Sequence, residues 1–183
     1  IRRTTASTLP EEALSGLRLP PPDAPHWKNA PAMPAPKEKA DPPSSWDWRA
    51  LGGVTPVKDQ GSCGSCWAFS TMGVVESAIL RADGVVVDLS EQHLLSCNTS
   101  DWGCSGATWG YSWLIDQPDA CGLVGAVFEA DYPYTATRWE CRCDAPRHYR
   151  IREWGYVNGL RPSVDDTKQA LMLHGPLGIS IYT

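Results

Sequence analysis

Seven cysteines, all between residues 63 and 143, constrain this chain of 183 residues more than any other feature. Cysteine-rich chains of this kind are typical of compartments that allow disulfides to form. An odd number fits three disulfides and one reactive thiol. The alternative is a cytosolic protein with seven reduced cysteines.

Cys66 has the sequence context of a nucleophile. It follows a glycine- and serine-rich stretch at residues 60–65 and precedes an apolar run, so we expect it in the first turn of a helix. N–H groups at a helix start lack partners within the helix and carry partial positive charge, which favours a thiolate over a thiol. Because the thiolate is the nucleophilic form, this placement suits covalent catalysis.

The run QGSCGSCW at residues 60–67 resembles the signature of the papain-like cysteine peptidases, here of the cathepsin L-like subgroup. The resemblance implies a papain-like cysteine endopeptidase precursor in which Cys66 attacks a peptide carbonyl. It further implies that the Gln60 side chain and the Cys66 N–H stabilise the oxyanion. Trp67 is expected to pack behind the site.

The order of the predicted elements, helices first and strands afterwards, indicates an α+β fold. We expect helices from Cys66 to about Arg81, from Ser90, around Trp109 and Trp113, and from Ser163 to Gly175, and strands over 151–157 and 177–182. The resemblance implies a papain-like two-domain fold, with a complete helical left domain and a truncated β-rich right domain.

The proline-rich segment 1–41 is predicted to be a propeptide tail and linker, with a short helix from Thr8 to about Leu17. A simple flexible extension is the alternative. Residues 42–183 are predicted to be the peptidase domain. Its helical subdomain spans about 58–150, and 42–57 with 151–183 form a partial β subdomain.

The family pattern implies the disulfides Cys63–Cys104 and Cys97–Cys141. This leaves Cys121–Cys143 as a third pair by elimination. Cys63 and Cys66 also form a C-x-x-C motif, which admits a thiol–disulfide oxidoreductase or half of a zinc site. The motif follows polar turn sequence rather than a buried strand, and no second cysteine pair has standard zinc spacing. We therefore predict no metal and no cofactor.

The resemblance also implies a set of substrate-binding residues: Gly64, Ser65, Trp67, Gly106, Ala107, Trp109 and Ser180. Ala107 stands where the family has a second glycine, so its methyl group is expected to narrow the cleft or shift the substrate. Trp109 is expected to form an aromatic wall of the main specificity pocket; the alternative is core packing with Trp113. A small Ser180 at the pocket floor favours an apolar residue two positions before the scissile bond.

A histidine and an asparagine are expected roughly 130–150 residues after the cysteine in this family, which lies beyond residue 183. The sequence contexts of His26, His93, His148 and His174 do not match the family's histidine motif. We therefore expect a fragment that is inactive as given, whose catalytic histidine and asparagine lie elsewhere in the protein.

Charge and hydropathy exclude several classes of partner. A net charge of −5 gives no basic surface for nucleic acid, and no apolar run reaches the roughly 20 residues of a membrane helix. We expect a secreted or lysosomal/vacuolar monomer whose signal peptide is not in the chain. Its partners by resemblance are peptide or protein substrates and propeptide or cystatin-like inhibitors.

A catalytically inactive homologue that acts as a binding protein is the competing function, and the sequence leaves endopeptidase and exopeptidase open. Residues 98–100 form an N-glycosylation triplet.

Overall fold

The computed structural model of the chain describes residues 41–158 and 162–179. The expected propeptide and linker up to residue 40, the short helix from Thr8, and Ser180 lie outside the described residues. The division into subdomains remains a prediction.

The described residues contain four α-helices: α1 (Cys66–Asp83), α2 (Glu91–Cys97), α3 (Ser112–Ile115) and α4 (Val164–His174). Local capping chemistry sets their ends. Ser90 caps α2 by accepting from the N–H of His93, and Ser163 begins α4 with a capping box. Gly84 ends α1 in the left-handed conformation at φ 68°. The predicted starts of α1, α2 and α4 and the predicted end of α4 are thus confirmed, whereas α1 continues to Asp83, beyond the predicted Arg81.

The helix predicted around Trp109 and Trp113 is wrong in extent, because α3 contains only four residues and Trp109 precedes it. The N–H of Gly110 donates to Thr71 Oγ1 in α1 at 2.9 Å. A side chain at position 110 would also meet α2, because its Cβ would lie only 2.7 Å from Leu94 Cδ1. The chain is therefore fastened to α1 and α2 at this point instead of starting a helix there.

The strand predicted over 151–157 is also wrong, since this segment forms no regular strand. Pairing within the described residues includes three isolated antiparallel bridges: Leu89 with Phe128, Gly103 with Gly106, and Ala126 with Tyr149. The N–H of Ile151 donates to the carbonyl of Leu114 in α3, so this segment packs on a helix. Of the strand predicted over 177–182, residues 177–179 form no regular element, and the rest lies outside the described residues.

The buried core lies between α1, α2 and the loops that follow them. Three tryptophan rings stack edge to face through its centre. Trp67 of α1 contacts Trp102 at a centroid distance of 5.6 Å, and Trp102 contacts Trp113 of α3 at 5.0 Å. Trp67 and Trp113 are almost fully buried. This aromatic packing fixes α1 against the loop that carries the second cysteine of the first disulfide.

The N-terminal part of the described chain connects α1 to α4. The indole N–H of Trp48 donates to the carbonyl of Leu171 at 2.7 Å, and the Arg81 guanidinium lies 4.3 Å from the centre of the Trp48 ring. Arg81 also donates to the carbonyl of His174 at the end of α4. A cation near a helix C-terminus is favourable, and so is a cation over a tryptophan ring. Arg81, near the end of α1, therefore connects this helix both to the end of α4 and to Trp48.

A buried charge cluster holds the segment that leads into the turn at residues 59–65. The Lys58 ammonium lies 2.7 Å from Glu76 Oε1 of α1 and 3.0 Å from Glu91 Oε1 of α2, and it donates to the carbonyl of Leu89. Thr55 Oγ1 and the Leu89 N–H also donate to Glu76. Glu76, whose side chain is 1% exposed, thus has partners for both carboxylate oxygens.

The two glutamates of this cluster differ in protonation. Burial raises the pKa of Glu91 to about 8, although the neighbouring Lys58 opposes this rise. Burial by itself would lower the pKa of Lys58, but Glu91, Asp88 and Glu76 more than offset this, so the pKa is raised. At neutral pH the cluster holds a charged lysine and a mostly protonated Glu91.

Asn98 of the glycosylation triplet is 4% exposed and caps the C-terminus of α2. Its Nδ2 donates to the carbonyls of Leu94 and Trp102, both at 2.9 Å, and its Oδ1 accepts from the N–H groups of Ser100 and Trp102. A glycan on Nδ2 would break this network.

Within the described part of the chain, no helix combines the length and apolar character needed to cross a bilayer.

We predict that Glu76→Gln and Glu91→Gln differ sharply in stability. Glu76→Gln removes a buried charge that Lys58 requires and should cost about 3–5 kcal/mol. Glu91→Gln mimics the protonated acid and should cost about 1 kcal/mol or less at pH 7. Denaturant unfolding with the disulfides intact measures both values.

The raised pKa of Glu91 gives this comparison a pH dependence with a defined sign. The unfolded chain releases the Glu91 proton near pH 4.3 and the folded chain only near pH 8, so the wild type loses stability relative to Glu91→Gln as the pH rises between these values. If Glu91→Gln and Glu76→Gln lowered the free energy of unfolding by the same amount as each other, at pH 5 and again at pH 8, this interpretation of the cluster would be wrong.

We predict that Asn98 carries no glycan in folded protein secreted from a glycosylating host, because its side chain is buried and hydrogen-bonded. Peptide mass spectrometry reads the modification directly. The double substitution Asp83→Asn, Val85→Thr creates an acceptor triplet at the exposed end of α1 and should be glycosylated. A glycan on Asn98 in folded protein would disprove the prediction.

Candidate active site

The turn at residues 59–65 places Gln60 close to the start of α1. Asp59 Oδ1 accepts the N–H of Gly61 at 2.8 Å, and Gly61 has a φ of 60°, in the left-handed region that glycine adopts without strain. The side-chain Nε2 of Gln60 donates to the carbonyl of Cys63 at 2.8 Å. The side-chain amide of Gln60 is therefore held against this turn, which ends directly before Cys66.

The first disulfide joins this turn to the segment 103–107. Cys63 is bonded to Cys104, and the Gly64 N–H donates to the Cys104 carbonyl at 3.0 Å. Gly106, with a φ of 92°, closes a tight turn by donating to the carbonyl of Gly103. A covalent bond and a backbone hydrogen bond thus hold the two segments side by side.

Cys66 is the first residue of α1, is partly exposed, and is the one cysteine outside the three disulfides. The first turn of α1 contains no acidic side chain that would oppose a thiolate. Ser65 makes no side-chain cap for the helix, because its hydroxyl contacts Tyr134 instead. This is the position and charge environment that favour a thiolate.

Trp67 extends from the next position into the core. Its indole nitrogen is oriented towards the carbonyl of Gly103 at 3.4 Å, and its ring packs on Trp102. The side chain therefore lies behind the turn, as the family resemblance implies. It joins α1 to the 103–107 segment from the core side.

Residues 107–111 continue from the disulfide segment along a row of aromatic side chains. Ala107 is 2% exposed and belongs to the buried core cluster. Trp109 has a ring contact with Tyr111, whereas Trp113 packs on Trp102. Trp109 also packs against the core cluster that contains Trp113, so the core-packing alternative from the sequence stays open.

Gly178 lies against this aromatic row. A Cβ at this position would come within 2.9 Å of Ser70 Oγ and 3.3 Å of both Trp109 and the Tyr111 hydroxyl. The segment after α4 thus approaches α1 and Trp109 closely. A role of Trp109 and Ala107 in substrate selection stays a prediction.

The other two disulfides are Cys97–Cys141 and Cys121–Cys143. The sulfur atoms of Cys121, Cys141 and Cys143 lie within 4.8 Å of one another. Each is part of a disulfide, so none offers a thiolate to a metal ion. Cys97–Cys141 fastens a later loop to the end of α2, and Cys121–Cys143 joins two loops that follow this helix.

Two of the histidines have partners that explain their positions. His93 is buried in α2 and its Nε2 lies 3.1 Å from Asp119 Oδ2, which also pairs with Arg147. Burial lowers the pKa of His93, so the ring is neutral at pH 7. His148 stacks on Phe128 at 3.9 Å. Both side chains contribute to packing.

Tyr134 is a part of the site that the sequence does not predict. In the structure its hydroxyl donates to the carbonyl of Gln60 at 2.9 Å and contacts Ser65 Oγ at 2.5 Å. No periodicity or local motif links residue 134 to residues 60 and 65, so the contact depends on tertiary structure.

Comparison with known proteins places this geometry in a family. A family model described as "Papain family cysteine protease" matches residues 42–183. Cysteine proteinase 15A of Pisum sativum is 36% identical over 176 residues, covering 90% of this chain and 44% of that protein. A cathepsin L-like peptidase of Aedes aegypti is 38% identical over 141 residues, covering 76% of this chain and 40% of that protein.

A solved structure gives the same result for the fold. The digestive procathepsin L2 proteinase from the larval midgut of Tenebrio molitor has a TM-score of 0.61 and 34% identity, covering 74% of this chain and 44% of that chain. The chain spans less than half the length of these relatives. With the family match over residues 42–183, this likeness shows that the chain has the papain-like α+β fold and belongs to the papain family of cysteine proteases.

Proposed function

We propose that the protein containing this chain is a cysteine endopeptidase, made as a precursor, that hydrolyses peptide bonds through an acyl-enzyme on Cys66. The observation that carries the proposal is the position of Cys66: it is the one cysteine outside the disulfides, and it begins α1 directly after the turn anchored by Cys63–Cys104. The family match supports the same reading.

The proposed chemistry has two steps. The Cys66 thiolate attacks the peptide carbonyl carbon, and the resulting oxyanion accepts hydrogen bonds from the Gln60 side chain and the Cys66 N–H. Collapse of this intermediate breaks the C–N bond, and the amine leaves with a proton from a general acid. Water then attacks the thioester, which releases the carboxylic acid and regenerates the thiolate.

The general acid and base are proposed to lie outside these 183 residues. His93 is committed to Asp119 in the interior, and His148 to Phe128 and Asp131. A thiol without a base is only a few per cent thiolate at neutral pH. We therefore propose that the chain by itself does not turn over peptides.

The two competing functions receive less support. A C-x-x-C oxidoreductase requires Cys63 and Cys66 to pair with each other, whereas Cys63 is bonded to Cys104. A catalytically inactive binding protein has no chemical need for a thiol at a helix start with a glutamine amide beside it. The arrangement of Cys66 and Gln60 therefore favours the peptidase.

The family suggests the remaining assignments. We propose peptide or protein substrates, with these substrate-binding residues: Gly64, Ser65, Trp67, Gly106, Ala107, Trp109 and Ser180. We also propose inhibition by a propeptide or by cystatin-like proteins, and a monomeric state. Three disulfides suit a secreted or lysosomal type of protein. A zymogen is consistent with the proform named for the Tenebrio relative.

We predict that Cys66→Ser abolishes peptide hydrolysis by the full-length protein, with a loss of at least about 10⁴-fold, because the nucleophile is removed. A fluorogenic peptide assay measures the rate. The matched control is the pair Cys121→Ser, Cys143→Ser, which removes a bridge and leaves no additional thiol. It should keep most of the activity.

Equal activity of Cys66→Ser and the control pair would overturn the nucleophile assignment. The 183-residue chain serves as a second sample in the same assay, and we expect no steady turnover from it. Turnover by this chain that a thiol alkylator blocks would refute the proposal that the base lies elsewhere.

A further inference from the structure

The hydroxyl of Tyr134 lies across the turn at residues 59–65. It donates to the carbonyl of Gln60 at 2.9 Å and lies 2.5 Å from Ser65 Oγ. A phenol has one proton and a backbone carbonyl can only accept, so the Tyr134 proton goes to Gln60. The single Ser65 hydroxyl proton then lies in the short 2.5 Å contact with the Tyr134 oxygen rather than in the 3.4 Å contact with the Cys63 carbonyl. One oxygen atom therefore joins Gln60 to the residue directly before Cys66.

Tyr134 is itself held against α1 and α2. Its ring packs edge-on against Phe69 of α1, at a centroid distance of 4.9 Å. Its N–H donates to Glu129 Oε1 at 2.6 Å, and the next N–H, of Thr135, donates to Gln92 of α2. Burial raises the pKa of Tyr134, so the hydroxyl keeps its proton at neutral pH.

Gln60 is held at two points, one on its backbone and one on its side chain. Its backbone carbonyl is bound by Tyr134, and its side-chain Nε2 donates to the carbonyl of Cys63 at 2.8 Å. A primary amide has two N–H protons, so the direction of the Cys63 bond also sets the direction of the second proton. Movement of the Gln60 backbone would change where that proton points.

We propose that Tyr134 is a positioning residue for the oxyanion site, and that its hydroxyl holds the Gln60 amide and the Cys66 N–H at a fixed separation. The proposal rests on the proposed function, since it assigns these two donors to the oxyanion. Oxyanion donors act through preorganised geometry, so a change in their separation lowers the rate without removing either donor.

Tyr134→Phe in the full-length protein tests the proposal, because it removes one oxygen atom and keeps the ring on Phe69. We expect kcat for a peptide amide to fall about tenfold, less than the loss from deleting an oxyanion donor, while KM stays within about twofold. Affinity for a peptide aldehyde, whose adduct places an oxygen in the oxyanion site, should fall about tenfold as well. Alkylation of Cys66 by iodoacetamide forms no oxyanion and should keep its rate within about twofold.

Tyr132→Phe is the matched control. The Tyr132 hydroxyl donates to the carbonyl of Glu140 at 2.7 Å, so this variant loses a comparable hydrogen bond two residues away, without contact to the turn. Its kcat, KM, aldehyde affinity and alkylation rate should match those of the wild type. In a Gln60→Ala background, Tyr134→Phe should have little further effect, because the two act as one unit.

Wild-type kcat and aldehyde affinity in Tyr134→Phe would overturn the proposal. Parallel losses of aldehyde binding and iodoacetamide reactivity would also overturn it, since they indicate a general distortion. If Tyr134→Phe does not fold, Ser65→Ala removes the other hydroxyl of the same link and must give the same selective pattern. Absence of Cys66-dependent hydrolysis in the wild type would instead reject the proposed function.

Discussion

The turn at residues 59–65 is the constraint on which the site depends, and it is held at both ends by interactions of different kinds. Lys58, directly before the turn, is held by the buried carboxylate of Glu76 and by the buried Glu91 carboxyl group. The disulfide Cys63–Cys104 anchors the other end. Charge pairing in the interior and a covalent bond therefore fix Gln60 and Cys66 relative to α1, which a short polar turn could not achieve through its own hydrogen bonds.

The buried cluster shows how an interior can hold several acidic groups near one lysine. Glu76 receives hydrogen bonds on both oxygens, whereas burial raises the pKa of Glu91 to about 8. Protonation of one carboxylate relieves repulsion and leaves the lysine paired with Glu76 and Asp88. The same cluster joins α1 to α2, so the stability of the helical core and the placement of the turn have a common source.

Local signals in the sequence predicted the helix ends well, because Ser90, Ser163 and Gly84 act on their immediate neighbours. The position of Cys66 at the start of a helix could also be predicted, since a glycine-rich turn before an apolar run is a local pattern. Errors arose where tertiary contacts compete with local preference. Gly110 gives its N–H to Thr71 and so delays α3, and the link from Tyr134 to Gln60 joins residues far apart in the chain.

The central claim is that the thiol of Cys66 is the nucleophile that a bound peptide reaches. Mass spectrometry of the full-length protein after treatment with a peptidyl epoxide tests this most directly, because the peptide part directs the electrophile to the cleft. We expect one adduct, on Cys66, that excess peptide substrate suppresses. Labelling of a different residue, or labelling of Cys66 that peptide substrate does not suppress, would contradict it.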